Sequence, residues 1–365
     1  MQLGIIGLAR AGKTTVFNAV TRGSAQVGAY SSSAQPNVGV VNVPDERVDR
    51  LAELYKPKKT TYASIQYVDF PAAGESFGKG EGPAGKLIQD IARTDALIHV
   101  VRAFEDETVP HPEVTLDPHR DIVTMDLELA FADLAIIERR IQRIDAEMRS
   151  IKAGERDLLQ RTRDLLSRLK SGLENDIPIR AQDVSAEDEK LLEGTQFLTA
   201  KPLLLVINIG EADLARRAEV EAEYRARYQA PGRDVAVFSG KFEMDLNELS
   251  DEDAAEFRAS AGVTESGMAS AIRMSYGLLG LISFLTAGHD ECRAWTVGKG
   301  ANAPEAAGKI HSDLRRGFIR AEVIRCEDLL AAGSEAEAKK KGLLRTEGKQ
   351  YIVQDGDILN ILFNV

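Results

Sequence analysis

An α/β fold with an inserted helical arm and a small C-terminal α+β domain is predicted by three observations. The run from Leu3 to Val20, LGIIGLARAGKTTVFNAV, reads as a buried strand (Leu3 to Ile6), a loop bounded by Gly7 and Gly12, and a helix opened by Lys13-Thr14-Thr15. Further apolar runs, ALIHVV from Ala96 and LLLVI from Leu203, have the length and continuity of strands buried on both faces of a parallel sheet. Between them the pattern changes to heptad-like spacing, and β-rich runs return only near the C-terminus.

The first element carries the most chemistry. It matches G-x-x-x-x-G-K-[ST] in the order of strand, loop and helix that a phosphate-binding loop (P-loop) requires. The glycines allow backbone N–H groups to turn inward around an anion, and the helix N-terminus adds its partial positive charge at the same point. Lys13 is expected to reach the β- and γ-phosphates, and the Thr14 hydroxyl to ligate a bridging Mg²⁺.

Composition restricts the partners. The chain has 365 residues, enough for more than one domain, and its 46 Lys and Arg against 57 Asp and Glu give a net charge of −11, which disfavours wholesale wrapping by nucleic acid. The first residues enter a strand directly and no apolar run approaches the length of a membrane span, so a cytoplasmic protein without membrane contact is expected. Cys292 and Cys326 lack a CxxC partner and read as reduced structural thiols.

After a helix from Lys13 to about Arg22, the stretch GSAQVGAYSSSAQPN holds Ser31, Ser32 and Ser33, hydroxyls able to complete a metal shell. A short strand (Val38 to Val43) and a helix (Glu46 to Tyr55) precede the strand Ala63 to Phe70, whose Asp69 stands where a Walker-B carboxylate holds Mg²⁺ through water. A helix from Lys86 to Thr94 leads to the strand Ala96 to Val101, in which His99 reads as a satisfied core histidine.

From Leu127 the apolar residues Phe131, Leu134, Ile137, Ile141, Ile144, Met148 and Ile151 step by three or four. A second seam at Leu158, Thr162, Leu165, Leu169 and Leu173 follows Gly154, so an antiparallel coiled-coil hairpin is expected over residues 126–199. Ten Lys or Arg against six Asp or Glu between residues 138 and 170 make this arm locally basic; a charge-rich coiled-coil exterior is the default reading and needs no ligand, and contact to RNA or a ribosome-like partner is the alternative. The strand Leu203 to Ile207 then closes on Asn208-Ile209-Gly210-Glu211. A guanine-reading protein needs Asn-Lys-x-Asp there, with the Asp accepting from guanine N1–H and N2–H₂; Glu211 and Ile209 replace that pair. Ser239-Gly240-Lys241, after the strand-like DVAVF, is placed to close the base pocket from the other side.

From about Leu281, runs at Arg293 to Val297, Phe318 to Ile324, Tyr351 to Val353 and Ile358 to Phe363 read as strands, with helices at Ala303 to His311 and Ser334 to Lys341 and a tight Asp-Gly turn in VQDGDI. Twelve basic residues balance twelve acidic ones from 281 onward, as in a docking module.

The phosphate loop, PNVGVVNVPD, the strand-end Asp followed by GKGEG, the coiled-coil insertion, the N-x-x-E box and the tail AWTVGKGANAPEAAGKIHSDLRRGFIRAEV together resemble the YchF / Obg-like ATPase family over essentially the whole chain. The resemblance implies a translation-associated P-loop protein that prefers ATP to GTP, with a nucleotide domain at 1–125 and 200–280, the arm at 126–199 and a ubiquitin-like TGS domain at 281–365. Carried onto this chain, the phosphate loop is Arg10, Ala11, Gly12, Lys13, Thr14 and Thr15, the metal-binding switch residue is Ser33, and the adenine box is Asn208, Ile209 and Glu211. The wording departs from the family at Ala9-Arg10-Ala11, at AYSSSAQ, and at Asp69-Phe70-Pro71-Ala72-Ala73, where Ala72 replaces a glycine whose N–H meets the γ-phosphate. Lys13 and Asp69 are the residues expected to matter for catalysis, which would come mostly from positioning. Two alternatives stay open: a nucleotide-binding scaffold impaired in hydrolysis, and a GTPase of the same branch.

Overall fold

The computed structural model describes residues 1–23, 36–71, 82–149, 156–263 and 265–364. They form two compact units, Met1–Gly39 with Gln66–Ala271, and Val40–Ile65 with Ile272–Val365. Up to the arm, the elements are β1 (Gln2–Ile6), α1 (Lys13–Thr21), β2 (Asn37–Asn42), α2 (Glu46–Tyr55), β3 (Lys59–Thr61), β4 (Ser64–Asp69), α3 (Gly82–Ala92) and β5 (Ala96–Ala103). Next come α4 (Pro118–Glu147), α5 (Arg156–Glu174), α6 (Ala186–Leu191), β6 (Leu203–Ile209), α7 (Arg217–Tyr228), β7 (Arg233–Phe238), α8 (Gly240–Leu246), α9 (Asp251–Ser260) and α10 (Gly267–Leu278).

The first sheet has the order β2-β4-β1-β5-β6-β7, and β4, β1, β5, β6 and β7 run parallel. Its register positions the chemistry. Ile5 lies opposite Asp69, Ile6 opposite His99, and Asn208 opposite Phe238, so the phosphate loop, the carboxylate and both base-side segments leave the same carboxyl edge. Leu97, Val101, Leu203, Leu205 and Ile207 are fully or almost fully buried, which explains the unbroken apolar runs. His99 is core but not satisfied: it is fully buried, and neither ring nitrogen has a hydrogen-bond partner among the described residues.

Helix α4 starts earlier than the seam reading placed it, capped by Asp117, whose side chain accepts from Arg120 N, and with Pro118 in its first turn. Its 30 residues make a rod about 45 Å long that serves two cores. Ile122, Met125, Leu129 and Ala132 pack into the core of the parallel sheet, while Ile137 and Ile144 join Leu165, Leu166, Leu169 and Leu173 of α5 in the arm. This corrects the seam at three positions. Leu127 and Phe131 are exposed because the buried stripe on the first half of α4 runs through 122, 125, 129 and 132, and Leu158 is exposed while Leu159 packs against the arm core. Buried Asp133 holds the arm's return: its carboxylate accepts from Leu198 N, Thr199 N and Thr199 Oγ1 at 2.8, 2.8 and 2.7 Å. Desolvation by burial nevertheless pushes the Asp133 pKa up to about 6, against the pull of these three hydrogen bonds.

The second unit is a mixed sheet, β11 (Arg345–Glu347), β10 (Phe318–Arg325), β12 (Asp357–Phe363), β8 (Leu281–Thr286), β9 (Glu291–Gly298) and β3 in that order. Helix α2 belongs to this unit, together with α11 (Ala303–Ile310), α12 (Ser312–Arg316), α13 (Cys326–Ala332) and α14 (Glu335–Lys340). Ala303, Ala306 and Ala307 of α11 pack with Phe284, Val297 and Leu359 in its core. Residues 59–61, read from the sequence within the nucleotide domain, add a parallel strand beside β9. The Tyr351 to Val353 run makes only an isolated bridge, Asn302 with Ile352, and β8 and β11 are strands that local patterning did not mark. Gly356, with φ 82°, makes the tight turn before β12. Both cysteines are buried and free, as expected.

Candidate nucleotide site

The phosphate loop is shaped by two glycines that no other residue could replace without displacement. A Cβ on Gly7 would lie 2.4 Å from Val100 O, and one on Gly12, where φ is 86°, 2.3 Å from Asn208 Nδ2. Gly12 precedes α1 with no side-chain cap and no acidic residue in the first turn, so the first N–H groups of that helix face an open, electropositive end.

Lys13 is nearly buried, and its Nζ donates to Gly7 O at 3.0 Å and Leu8 O at 2.9 Å. Burial pushes its pKa down to about 8, with the nearby Asp69 carboxylate opposing the shift. Thr14 Oγ1 donates to Asp69 Oδ2 at 2.8 Å, and Asn37 Nδ2 donates to the same oxygen at 3.3 Å. Asp69 is 5% exposed, and its Oδ1 has no partner among the described residues. Burial raises its pKa, while the Thr14 and Asn37 hydrogen bonds and the Lys13 charge pull it back. The structure therefore places the sequence-selected residues Lys13, Thr14 and Asp69 close together. Thr15 follows in the first turn of α1, partly buried, and Ala11 is buried. Arg10 turns outward, its Nη1 donating to Pro110 O at 2.8 Å. Ser33, Ala72 and Ala73 lie outside the described residues.

At the other end, buried Asn208 joins three segments. Its Nδ2 donates to Ala11 O at 3.1 Å and its Oδ1 accepts from Gly240 N at 2.9 Å, so one side chain couples the phosphate loop to the Ser239-Gly240-Lys241 turn. Buried Ser239 caps α8 by accepting from Phe242 N at 3.4 Å. Glu211 and Lys241 form an exposed ion pair at 3.3 Å. Ile209, the middle residue of the expected adenine box, is 3% exposed and packs its side chain in the sheet core with Leu205 and Ile207, as alternation along β6 requires.

Sequence reading missed the loop after β5. Phe104 stands beside both Gly12 and Gly210, its ring covered by Arg102 at 4.7 Å, and Arg102 Nε donates to Phe104 O at 3.1 Å. In the same loop His111 Nε2 lies 2.9 Å from Asp121 Oδ2, and its Nδ1 accepts from Glu113 N at 3.1 Å, which leaves the ring proton on Nε2 to donate to the carboxylate. Nothing in the spacing of this segment marks it, because its proximity to the phosphate loop comes from strand order.

A parallel sheet whose first strand runs into this loop, with a buried lysine, a threonine and a strand-end aspartate in contact, defines a P-loop nucleotide-binding protein. The chain belongs to the YchF family. Full-length relatives include proteins named "Ribosome-binding ATPase YchF" from Bacillus subtilis, 42% identical, and from Escherichia coli O157:H7, 39% identical, each aligned over 99% of both chains. A family model for the C-terminal part of YchF GTPases, described as a protein of unknown function, matches residues 281–364, and one described as 50S ribosome-binding GTPase matches residues 2–110. The solved structure of the Schizosaccharomyces pombe YchF GTPase superposes with a TM-score of 0.83 at 28% identity, covering 99% of this chain and 97% of the other. Among the described residues, no helix is long and apolar enough to cross a membrane.

Proposed function

We propose that the chain is an ATP-binding switch protein that hydrolyses ATP slowly with Mg²⁺ and works on or near the ribosome in the cytoplasm. The observation that carries the reading is the contact of Thr14 with Asp69 beside the buried Lys13, at one end of a pocket whose other end holds Glu211 in place of the guanine-reading Asp. The names of the relatives support the choice of ATP and of the ribosome. Thr14, Ser33 and, through water, Asp69 would hold Mg²⁺; the unpartnered Asp69 Oδ1 fits that role, and the ion when bound supplies charge neutralisation on the phosphates. Lys13 exchanges its two carbonyl acceptors for phosphate oxygens, loop N–H groups hold the chain of phosphates in line, and Asn208 keeps loop and base pocket in register. In this reading the arm at 126–199 and a TGS domain at 281–365 make the contacts to ribosome or RNA.

A second reading, binding without turnover, is favoured by Pro71 two residues after Asp69, which restricts the backbone that must present an N–H to the γ-phosphate. Calorimetric titration with ATP and with GTP in Mg²⁺, with phosphate release followed in the same samples, separates the readings. ATP binding with slow release that disappears in Lys13→Ala is the expected result. Release unchanged by Lys13→Ala is contamination and favours the scaffold, and tighter binding of GTP overturns the use made of Glu211.

A further inference from the structure

We infer that the groove on the helical arm is a docking site for an acidic peptide segment carrying aliphatic side chains. The groove encloses about 980 Å³ between α4, α5 and the stretch from α6 to Gln196. Four cations of the arm are matched: Arg163 pairs with Asp145 at 2.6 Å, Lys170 with Glu138 at 2.7 Å, Arg168 with Asp188 at 2.9 Å and Arg161 with Glu187 at 3.2 Å. The three arginines lining the groove, Arg139, Arg140 and Arg143, make no ion pair among the described residues. Arg139 Nε donates to Ala135 O of its own helix, and Arg140 donates to Leu191 O and Thr195 Oγ1, all neutral acceptors. Burial, and after it the neighbouring Arg143 charge, hold the Arg140 pKa below its ordinary value. Glu147 and Glu193 also line the groove but leave it net basic, on a chain whose net charge is −11.

The floor decides the class of ligand. Leu158, 60% exposed, opens onto the groove together with Leu159, and among the described residues no aromatic side chain lines it. Unstacked bases gain most of their sequence-tolerant affinity on aromatic platforms, so single-stranded RNA finds only the arginines here. A peptide whose carboxylates meet the arginines while its aliphatic side chains cover Leu158 and Leu159 satisfies both parts of the surface.

The test uses the full chain and fluorescence anisotropy with three labelled probes: a short amphipathic peptide of Glu and Leu, its Gln-for-Glu analogue, and an oligouridylate of equal charge. The Glu–Leu peptide should bind saturably and the Gln analogue about tenfold more weakly or worse, corresponding to at least one charged contact. Arg143→Glu should lower affinity about tenfold, and Leu158→Ser should lower it by a smaller factor. Both positions are exposed, so circular dichroism and ATP titration should be unchanged in either variant. Failure of the Glu–Leu peptide to bind, or binding indifferent to both substitutions, overturns the proposal. Tighter oligouridylate binding that responds to Arg143→Glu replaces it with an RNA site.

Discussion

The two ends of the nucleotide site are built on opposite principles. At the phosphate end Lys13 and Asp69 are buried and held by several hydrogen bonds: Lys13 by two loop carbonyls, Asp69 by the Thr14 and Asn37 side chains, with the loop itself shaped by glycines packed against Val100 and Asn208. At the base end the distinctive pair, Glu211 with Lys241, is more than half exposed on each side chain and held by one ion pair. The phosphate end gives affinity common to every nucleoside triphosphate. Discrimination is left to a small, solvent-screened difference.

The largest break in this comparison should come from Lys13→Ala. Removing the buried ammonium takes a charged contact from the phosphates and is expected to weaken ATP binding by about a hundredfold or more, read by calorimetry. The same lysine gives a second readout. Its pKa near 8 must rise beside a triphosphate, so ATP binding at a pH just above 8 should take up a fraction of a proton, measured by comparing buffers of different ionisation enthalpy, and Lys13→Ala should abolish that uptake.

Next in size is Asn208→Ala, which severs the tie between the two ends and leaves Gly240 N unsatisfied. A loss of about 2 kcal/mol in nucleotide affinity is expected, against both ATP and GTP, because the lesion lies between the two ends. A loss confined to one nucleotide would mean that Asn208 reads the base instead of bracing the site.

A comparable effect on stability should come from His99, opposite Ile6 at the root of the loop. Burial, with smaller contributions from the Arg233 and Lys13 charges, lowers its pKa from 6.5 to about 3. Above pH 6.5 the ring is neutral in folded and unfolded chains and contributes no pH dependence. As pH falls from 6.5 toward 3 the unfolded chain takes a proton that the folded one refuses, so stability drops by up to about 1.4 kcal/mol per pH unit. Urea unfolding at pH 7 and pH 5 should show about 2 kcal/mol of this loss, and His99→Leu should remove it. The smallest effect is at the exposed end: Lys241→Met frees Glu211 to accept from guanine and should shift the ATP:GTP affinity ratio toward GTP by about fivefold. No shift would place discrimination elsewhere, with Phe104 the nearest candidate.

Much of the fold was legible because its signals are local. The strand-loop-helix of the phosphate loop, the apolar runs of β5 and β6 and the helix α2 each declare themselves within about ten residues. Asp69 was legible for the same reason, as the last residue of a strand downstream of the loop. The phase of the arm was not. Heptad spacing is satisfied by Leu127 and Phe131, but α4 packs its first half against the parallel sheet, so a different stripe, Ile122 to Ala132, is buried. His99 was legible as core and illegible as unpartnered, since the absence of an acceptor is a property of its surroundings.

The sequence by itself determined which chemistry is available: a glycine-framed anion cradle, a lysine, a hydroxyl and a carboxylate, and a base box that lacks the guanine reader. These follow from residue type and short spacing, where backbone geometry leaves few choices. Tertiary structure alone decided that Asn208 spans both ends of the site, that Ile209 turns into the core, that Lys59–Thr61 join the C-terminal sheet, and that Arg139, Arg140 and Arg143 line one groove on the arm. Each of these depends on strand order or helix phase, set by contacts between residues far apart in the chain, and short-range periodicity carries no record of them.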